Sequence, residues 1–251
     1  MMRQASDTDR EGQEGQNGFT LVELLVAMSV VVILIAVTLS GVLTAGSAVK
    51  TTSAQQGLNE EARQAINRMA RDIRQAKSVV TAVNPDGPSF NAAGIVAVRV
   101  QADFDGDSCI GGVVVAPIVS CLPYNTANPE DVTYCYEPGS RQLYVIDNQA
   151  PAVVPVTSAS TSCAGGQPLL AGNVGAFKVE YRSNQYRYDL DPTDGVTTWR
   201  ELDESPPPVG DGNGQLDSEL PQIDSVVLNV TMSTNGHSQS YRTQVDLRNH
   251  S

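Results

Sequence analysis

Gly18-Phe19-Thr20-Leu21-Val22-Glu23-Leu24-Leu25-Val26-Ala27-Met28 sets one carboxylate five residues past a glycine, at the head of an apolar run. Residues 24–49 then carry no charged side chain. A bilayer core takes about 20 predominantly apolar residues at about 1.5 Å rise each, so the run is long enough to cross a membrane once, over residues 21–43. A carboxylate at that depth costs on the order of 2.5–3.5 kcal/mol on insertion scales. Glu23 is therefore either a residue with a partner or an interfacial cap favoured by the dipole at the helix N-terminus.

Residues 18–43 resemble the class III signal of type IV prepilins and type II secretion pseudopilins, in which a hydrophilic leader ends in glycine and phenylalanine usually follows. The resemblance implies that residues 1–18 are a leader and that a membrane aspartic peptidase cuts between Gly18 and Phe19. It implies also that the same enzyme N-methylates Phe19, and that Glu23 pairs with the amino terminus of a neighbouring subunit during assembly. Opposite charges leaving water offset their desolvation only when they meet in good geometry. The leader departs from the family's usual basic character, because Arg3 and Arg10 stand against Asp7, Asp9, Glu11 and Glu14, a weak positive-inside signal. A secretory signal cut near Ala45-Gly46-Ser47-Ala48 fits poorly, since such apolar regions run about 7–15 residues.

The helix is expected to continue past the membrane to Val80, giving a stalk over residues 19–80. Leu58, Ala62, Ala65, Ile66, Met69, Ile73, Ala76 and Val80 recur at three and four residues, while Arg63, Arg68, Arg71, Asp72 and Arg74 fall on the other face. No proline precedes Pro85, although Gly41, Gly46 and Gly57 could soften the helix. Major pilins often carry a proline about 22 residues into the mature chain, where this chain has Ser40. Residues 58–76 are similar to the W-type minor pilins and J-type minor pseudopilins, which leans the resemblance toward a minor subunit.

Beyond Val80 short alternating runs take over. Residues 95–102, 132–137, 142–147, 174–181, 223–233 and 241–248 read as strands between Gly, Pro, Asn and Asp clusters. Val226, Leu228, Val230 and Met232 share one face, as do Tyr241, Thr243, Val245 and Leu247, and Asn235-Gly236 between them favours a tight hairpin. The expected fold is α+β: a long N-terminal helix, membrane-spanning in its first half and amphipathic in its second. That second half covers one antiparallel sheet of about five or six strands in an extracytoplasmic head, residues 81–251. Residues 183–222, with Pro206-Pro207-Pro208 and nine carboxylates, read as an extended surface loop.

The formal charge of the chain is −12, and removal of the leader leaves −10, which argues against nucleic acid as a direct ligand. Cys109, Cys121, Cys135 and Cys163 all lie in the head and match no metal or redox spacing. An even count beyond a membrane span suits disulfides. Of the three connectivities, Cys109–Cys121 with Cys135–Cys163 is favoured. Two acidic stretches place oxygens at alternate positions around glycine turns, the pattern calcium requires: Asp103, Asp105 and Asp107 in one, Asp211, Asn213 and Asp217 in the other. Taken alone, each reads more readily as a solvated turn in which Asx side chains bond their own backbone. J-type pseudopilins include calcium binders, so the resemblance makes calcium a candidate ligand, with no cofactor required.

Catalysis finds no support in the motifs. His237 and His250 are the only histidines, and no nucleophile elbow, zinc helix or phosphate loop is present. The sequence points to a minor pilin or pseudopilin that starts out in the inner membrane as a single-pass precursor with its head extracytoplasmic. Its implied partners are the prepilin peptidase and methyltransferase, an inner-membrane assembly platform and other pilin or pseudopilin subunits. Type IV pilus, type II secretion and competence machines all fit. The rival reading is a membrane-anchored adhesin or ligand-binding head that never polymerises, and it leaves Glu23 without a purpose.

Overall fold

A computed structural model describes residues 20–84, 93–103, 110, 129–184, 186, 188, 190, 194–234 and 236–247. Helix α1 runs Leu21–Gln75, with no break at Gly41, Gly46 or Gly57. The chain divides into two compact units, Met1–Gln55 and Gln56–Ser251. In the first unit the described apolar side chains are all exposed, from Leu21 at 81% to Val49 at 64%. Water is a poor solvent for such a surface, which requires lipid or other apolar helices around it.

The second unit is built from the end of α1 and two antiparallel sheets. Strands β1 (Ser78–Val83), β2 (Val96–Gln101), β3 (Asp131–Glu137), β4 (Gln142–Asp147) and β5 (Gln167–Leu170) form the first, in sequence order. Strands β6 (Val174–Ser183), β7 (Thr197–Thr198), β8 (Ser225–Thr234) and β9 (His237–Asp246) form the second, in the order β7-β6-β8-β9. The arrangement is α+β and pilin-like, with two sheets where the sequence led us to expect one.

Gly172 and Asn173 explain the division. Both adopt positive φ, 114° and 60°, and turn the chain out of the first sheet before β6 begins. The sheets stay tied at that corner: the Val174 amide donates to Arg141 O at 3.2 Å, and the Ser233 amide to Asn173 O at 2.7 Å.

The helix also ends earlier than its periodicity suggests. Ser78-Val79-Val80-Thr81 is rich in β-branched residues, and a partner strand decides the competition for them. The Ala76 amide closes a tight last turn on Ile73 O at 3.0 Å, and the Lys77 amide already donates to Gln101 O at 2.8 Å. Val80 therefore belongs to β1, and α1 stops at Gln75.

One core joins the helix to both sheets. Ala62, Met69, Ile73 and Ala76 of α1 are fully buried against Val98, Val100, Tyr134 and Leu143 of the first sheet and Phe177, Val179, Leu228 and Val230 of the second. A polar contact locks the packing. The hydroxyl of buried Tyr134 donates to the Asp72 carboxylate, which also takes Arg71 Nε at 3.2 Å. Burial first, and then the Asp72 charge, hold the Tyr134 hydroxyl well above the ordinary phenol range, so it remains a donor.

Strand alternation sends the other face of the first sheet into a second, smaller core. Val83, Ile95, Ala97, Cys135 and Ile146 lie there under Val156 and Cys163. Cys135 and Cys163 form a disulfide across 28 residues, with Cα atoms 5.8 Å apart. This is the second bond of the favoured pairing; Cys109 and Cys121 lie outside the described residues.

Residues 183–222 are not one extended loop. They contain β7, helix α2 (Trp199–Asp203) and a 3-10 turn over Leu220–Gln222. Trp199, Leu202 and Leu216 enter the main core. Their apolar positions are too sparse to show a period, and only the tertiary contacts reveal that they are anchors.

Candidate functional site

Two places among the described residues carry chemistry beyond packing. The first is the start of α1. Thr20 and Glu23 form a reciprocal cap: the Thr20 amide and hydroxyl each donate to Glu23 Oε2 at 3.1 Å, and the Glu23 amide donates to Thr20 Oγ1 at 3.2 Å. The cap satisfies amides that the first helical turn leaves without intrahelical partners. It also fixes the Glu23 carboxylate at the mouth of an apolar helix. The stretch Leu21–Gly46, 26 residues with a mean hydropathy of 2.8 across its most apolar 18, is the one helix among the described residues long and apolar enough to cross a membrane. Gly18 and Phe19 lie outside the described residues.

The second place is the acidic segment after α2. Thr198 and Glu201 cap that short helix, the Thr198 amide donating to Glu201 Oε2 at 2.7 Å. Its last residue, Asp203, is buried. The Asp203 carboxylate accepts from the Asn213 amide at 3.1 Å and the Gly214 amide at 2.8 Å, and its carbonyl accepts from the Gly212 amide at 2.9 Å. The turn that presents these amides needs positive φ at Gly212 and Gly214, 67° and 74°, conformations glycine adopts without a Cβ clash. Carboxylate oxygens of Asp203, Asp211 and Glu219 lie within 4.8 Å of one another. Glu219 is fully buried and accepts from Ser218 Oγ at 2.8 Å and the Asp217 amide at 3.2 Å.

This trio differs from the set read in the sequence. Asp211 belongs to it. Asn213 instead bridges, its Nδ2 donating to Asp211 Oδ2 at 2.9 Å and to Asp217 Oδ2 at 3.1 Å. Asp217 is exposed beside the trio, where it also accepts from the Ser218 amide. Asp203 and Glu219 were missed as a pair because they lie 16 positions apart and meet only through the fold. Of the earlier acidic stretch, Asp103 is exposed just past β2, while Asp105 and Asp107 lie outside the described residues.

Comparison with known proteins bears on the first place. No curated protein and no solved structure matches the chain. The family model of the prokaryotic N-terminal methylation motif matches residues 15–39, a window that takes in Gly18, Phe19, the Thr20–Glu23 cap and most of the apolar helix. The chain thus carries a prepilin-type N-terminal methylation motif.

Proposed function

We propose that this chain is a pilin or pseudopilin, a structural subunit of a type IV pilus or type II secretion pseudopilus, and of the minor kind that primes the filament or is incorporated into it. The methylation motif at residues 15–39, coinciding with the exposed apolar helix from Leu21 to Gly46, carries this reading. The pilin-like head agrees with it, and Ser40 in place of a helix-bending proline favours the minor subunit. The precursor would sit in the inner membrane, be cut and methylated by the prepilin peptidase, and pass from the assembly platform into a filament with other subunits. Glu23 would exchange its Thr20 cap for the methylated amino terminus of a neighbour.

Two substitutions separate assembly from capping. Glu23→Ala removes an anion that is costly at membrane depth, so insertion is expected to be unchanged or improved while recovery in sheared filaments falls. Thr20→Ala breaks the cap, typically worth about 1 kcal/mol, but keeps the carboxylate. It should assemble close to wild type. Equal filament recovery of Glu23→Ala and wild type would favour a membrane-anchored adhesin or binding head.

We also propose that Asp203, Asp211 and Glu219 hold calcium, supported by three carboxylates gathered around glycine turns, two of them buried. In the detergent-solubilised full chain, calcium at a hundredfold excess over Kd is expected to add about 2.7 kcal/mol of stability, seen as a higher Tm. Magnesium serves as the control for general screening. Asp211→Ala, at an exposed position, should remove the rise without opening the core. A Tm indifferent to calcium would leave the segment as a hydrogen-bonded turn.

A further inference from the structure

Asn213-Gly214, in the turn after α2, is a dipeptide with a chemistry of its own. In water the backbone nitrogen of a glycine can attack the side-chain carbonyl carbon of an asparagine before it, because glycine has no Cβ to obstruct the approach. Asn213 is exposed, and open space lies where a Gly214 Cβ would point. The closed turn nevertheless engages every group the reaction would use. The Gly214 amide donates to Oδ2 of buried Asp203 at 2.8 Å. Asn213 Nδ2 donates to Asp211 Oδ2 at 2.9 Å and to Asp217 Oδ2 at 3.1 Å, and its Oδ1 accepts from the Gln215 amide at 2.6 Å. The Asn213 amide reaches Asp203 Oδ1 and Asp211 Oδ1, each at 3.1 Å.

We propose that Asn213 is a latent self-modification site: the closed turn keeps it an asparagine, and opening of the segment converts it irreversibly to aspartate or isoaspartate. The inference rests neither on the filament reading nor on a bound ion. In the open segment the Gly214 nitrogen bonds to Asn213 Cγ, the Cγ–Nδ2 bond breaks, and ammonia leaves with the proton that the Gly214 nitrogen gives up. The succinimide ring then takes up water at either carbonyl and opens to aspartate or isoaspartate, with nothing oxidised or reduced. The closed turn opposes the first step. Attack must pull the Gly214 amide away from a buried carboxylate, leaving that carboxylate short of a donor, and must turn a side-chain amide held by Asp211 and Asp217. Reaction therefore follows the fraction of time the segment spends open. Conversion then prevents closure. A carboxylate at 213 has no hydrogen to offer Asp211 and Asp217 and sets a like charge between them. Isoaspartate also lengthens the main chain inside the turn that presents the Gly212 and Gly214 amides to Asp203.

The test incubates the detergent-solubilised full chain at mildly alkaline pH, with a chelator present so that no divalent cation contributes, and follows by fragment masses the conversion of residue 213 from amide to acid. The denatured chain sets the unprotected rate, at which Asn213-Gly214 and Asn235-Gly236 should react alike. Folded wild type is expected to convert Asn213 at least about tenfold more slowly. Asp203→Asn keeps the shape of the side chain but loosens its hold on the Gly214 amide, and should speed conversion roughly fivefold or more. Asp211→Ala, at an exposed position, removes acceptors from the Asn213 amide and Nδ2 and should speed it roughly threefold or more; it carries the test alone if Asp203→Asn does not fold. A melting curve on each variant checks folding. Asn213→Gln, whose longer side chain cannot close the same ring, should lose no ammonia at this position. Asn213→Asp reproduces the converted side chain and should lower Tm by about 3 °C or more at low salt. A folded wild type that reacts as fast as the denatured chain, or either folded variant reacting at the wild-type rate, would overturn the proposal. So would an Asn213→Asp chain that melts with the wild type, since conversion would then leave the turn closed.

Discussion

Replacing Gly18 with alanine is expected to leave most of the chain uncut, with the leader still attached and Phe19 unmethylated. A peptidase that cuts beside a glycine approaches a backbone without a Cβ, and alanine adds that atom at the scissile bond. The wild-type chain should begin at N-methyl-Phe19 by mass spectrometry of the mature protein, and Gly18→Ala should yield the precursor mass. Glu23 and the apolar helix are intact in this variant, so membrane insertion should persist while filament incorporation is lost. A mature terminus near Ala48 would remove the basis of the proposed function, since the apolar helix would then be discarded as a secretory signal.

Breaking the Cys135–Cys163 bond should produce the largest loss of stability in the head. The two cysteines are 28 residues apart, and on the chain-entropy model a cross-link of that span constrains the unfolded chain by about 3–4 kcal/mol. The native state loses as well, because Cys135 and Cys163 help close the small core over Val83, Ile95, Ala97 and Ile146. Cys163→Ser in the full chain is expected to lower Tm by roughly 10 °C. Reduction of the wild-type protein should bring its Tm down toward that of the variant. A Cys163→Ser chain that melts with the wild type would show that the small core holds without the bond. The calcium response proposed for Asp203, Asp211 and Glu219 should be the same in this variant as in the wild type, since those residues are not part of that core.

Several elements could be read from local pattern alone. Strand β4 falls at Gln142–Asp147, where alternation between two turns placed it, and β8 and β9 pair in register from Ser225 opposite Asp246 to Thr234 opposite His237. The hairpin was legible because Val226, Leu228 and Val230 alternate on one strand and Tyr241, Thr243 and Val245 on the next, so a one-residue slip would put every apolar side chain in water. Strands β1 and β5 were not legible. Ser78–Val83 follows a strong helical period without punctuation, and Gln167–Leu170 is only four residues long. In both, pairing chose the conformation: β1 lies along β2 and β5 along β4, contacts that neither segment's own pattern announces.

The sequence by itself determined the parts of this protein whose physics is local and one-dimensional. An uncharged run of bilayer length, a glycine followed by Phe19, and Glu23 within capping distance of Thr20 define the N-terminal motif wherever the rest of the chain lies. The arginine face of α1 is likewise set by a period of 3.6 residues. Only the tertiary structure decided that Gly172 and Asn173 split the strands into two sheets, that Tyr134 would meet Asp72 across 62 positions, and that Asp203 would join Asp211 and Glu219. Each of these depends on where distant backbone segments come to rest. A carboxylate in a turn looks the same in sequence whether it faces water or a buried neighbour, and packing is what distinguishes the two.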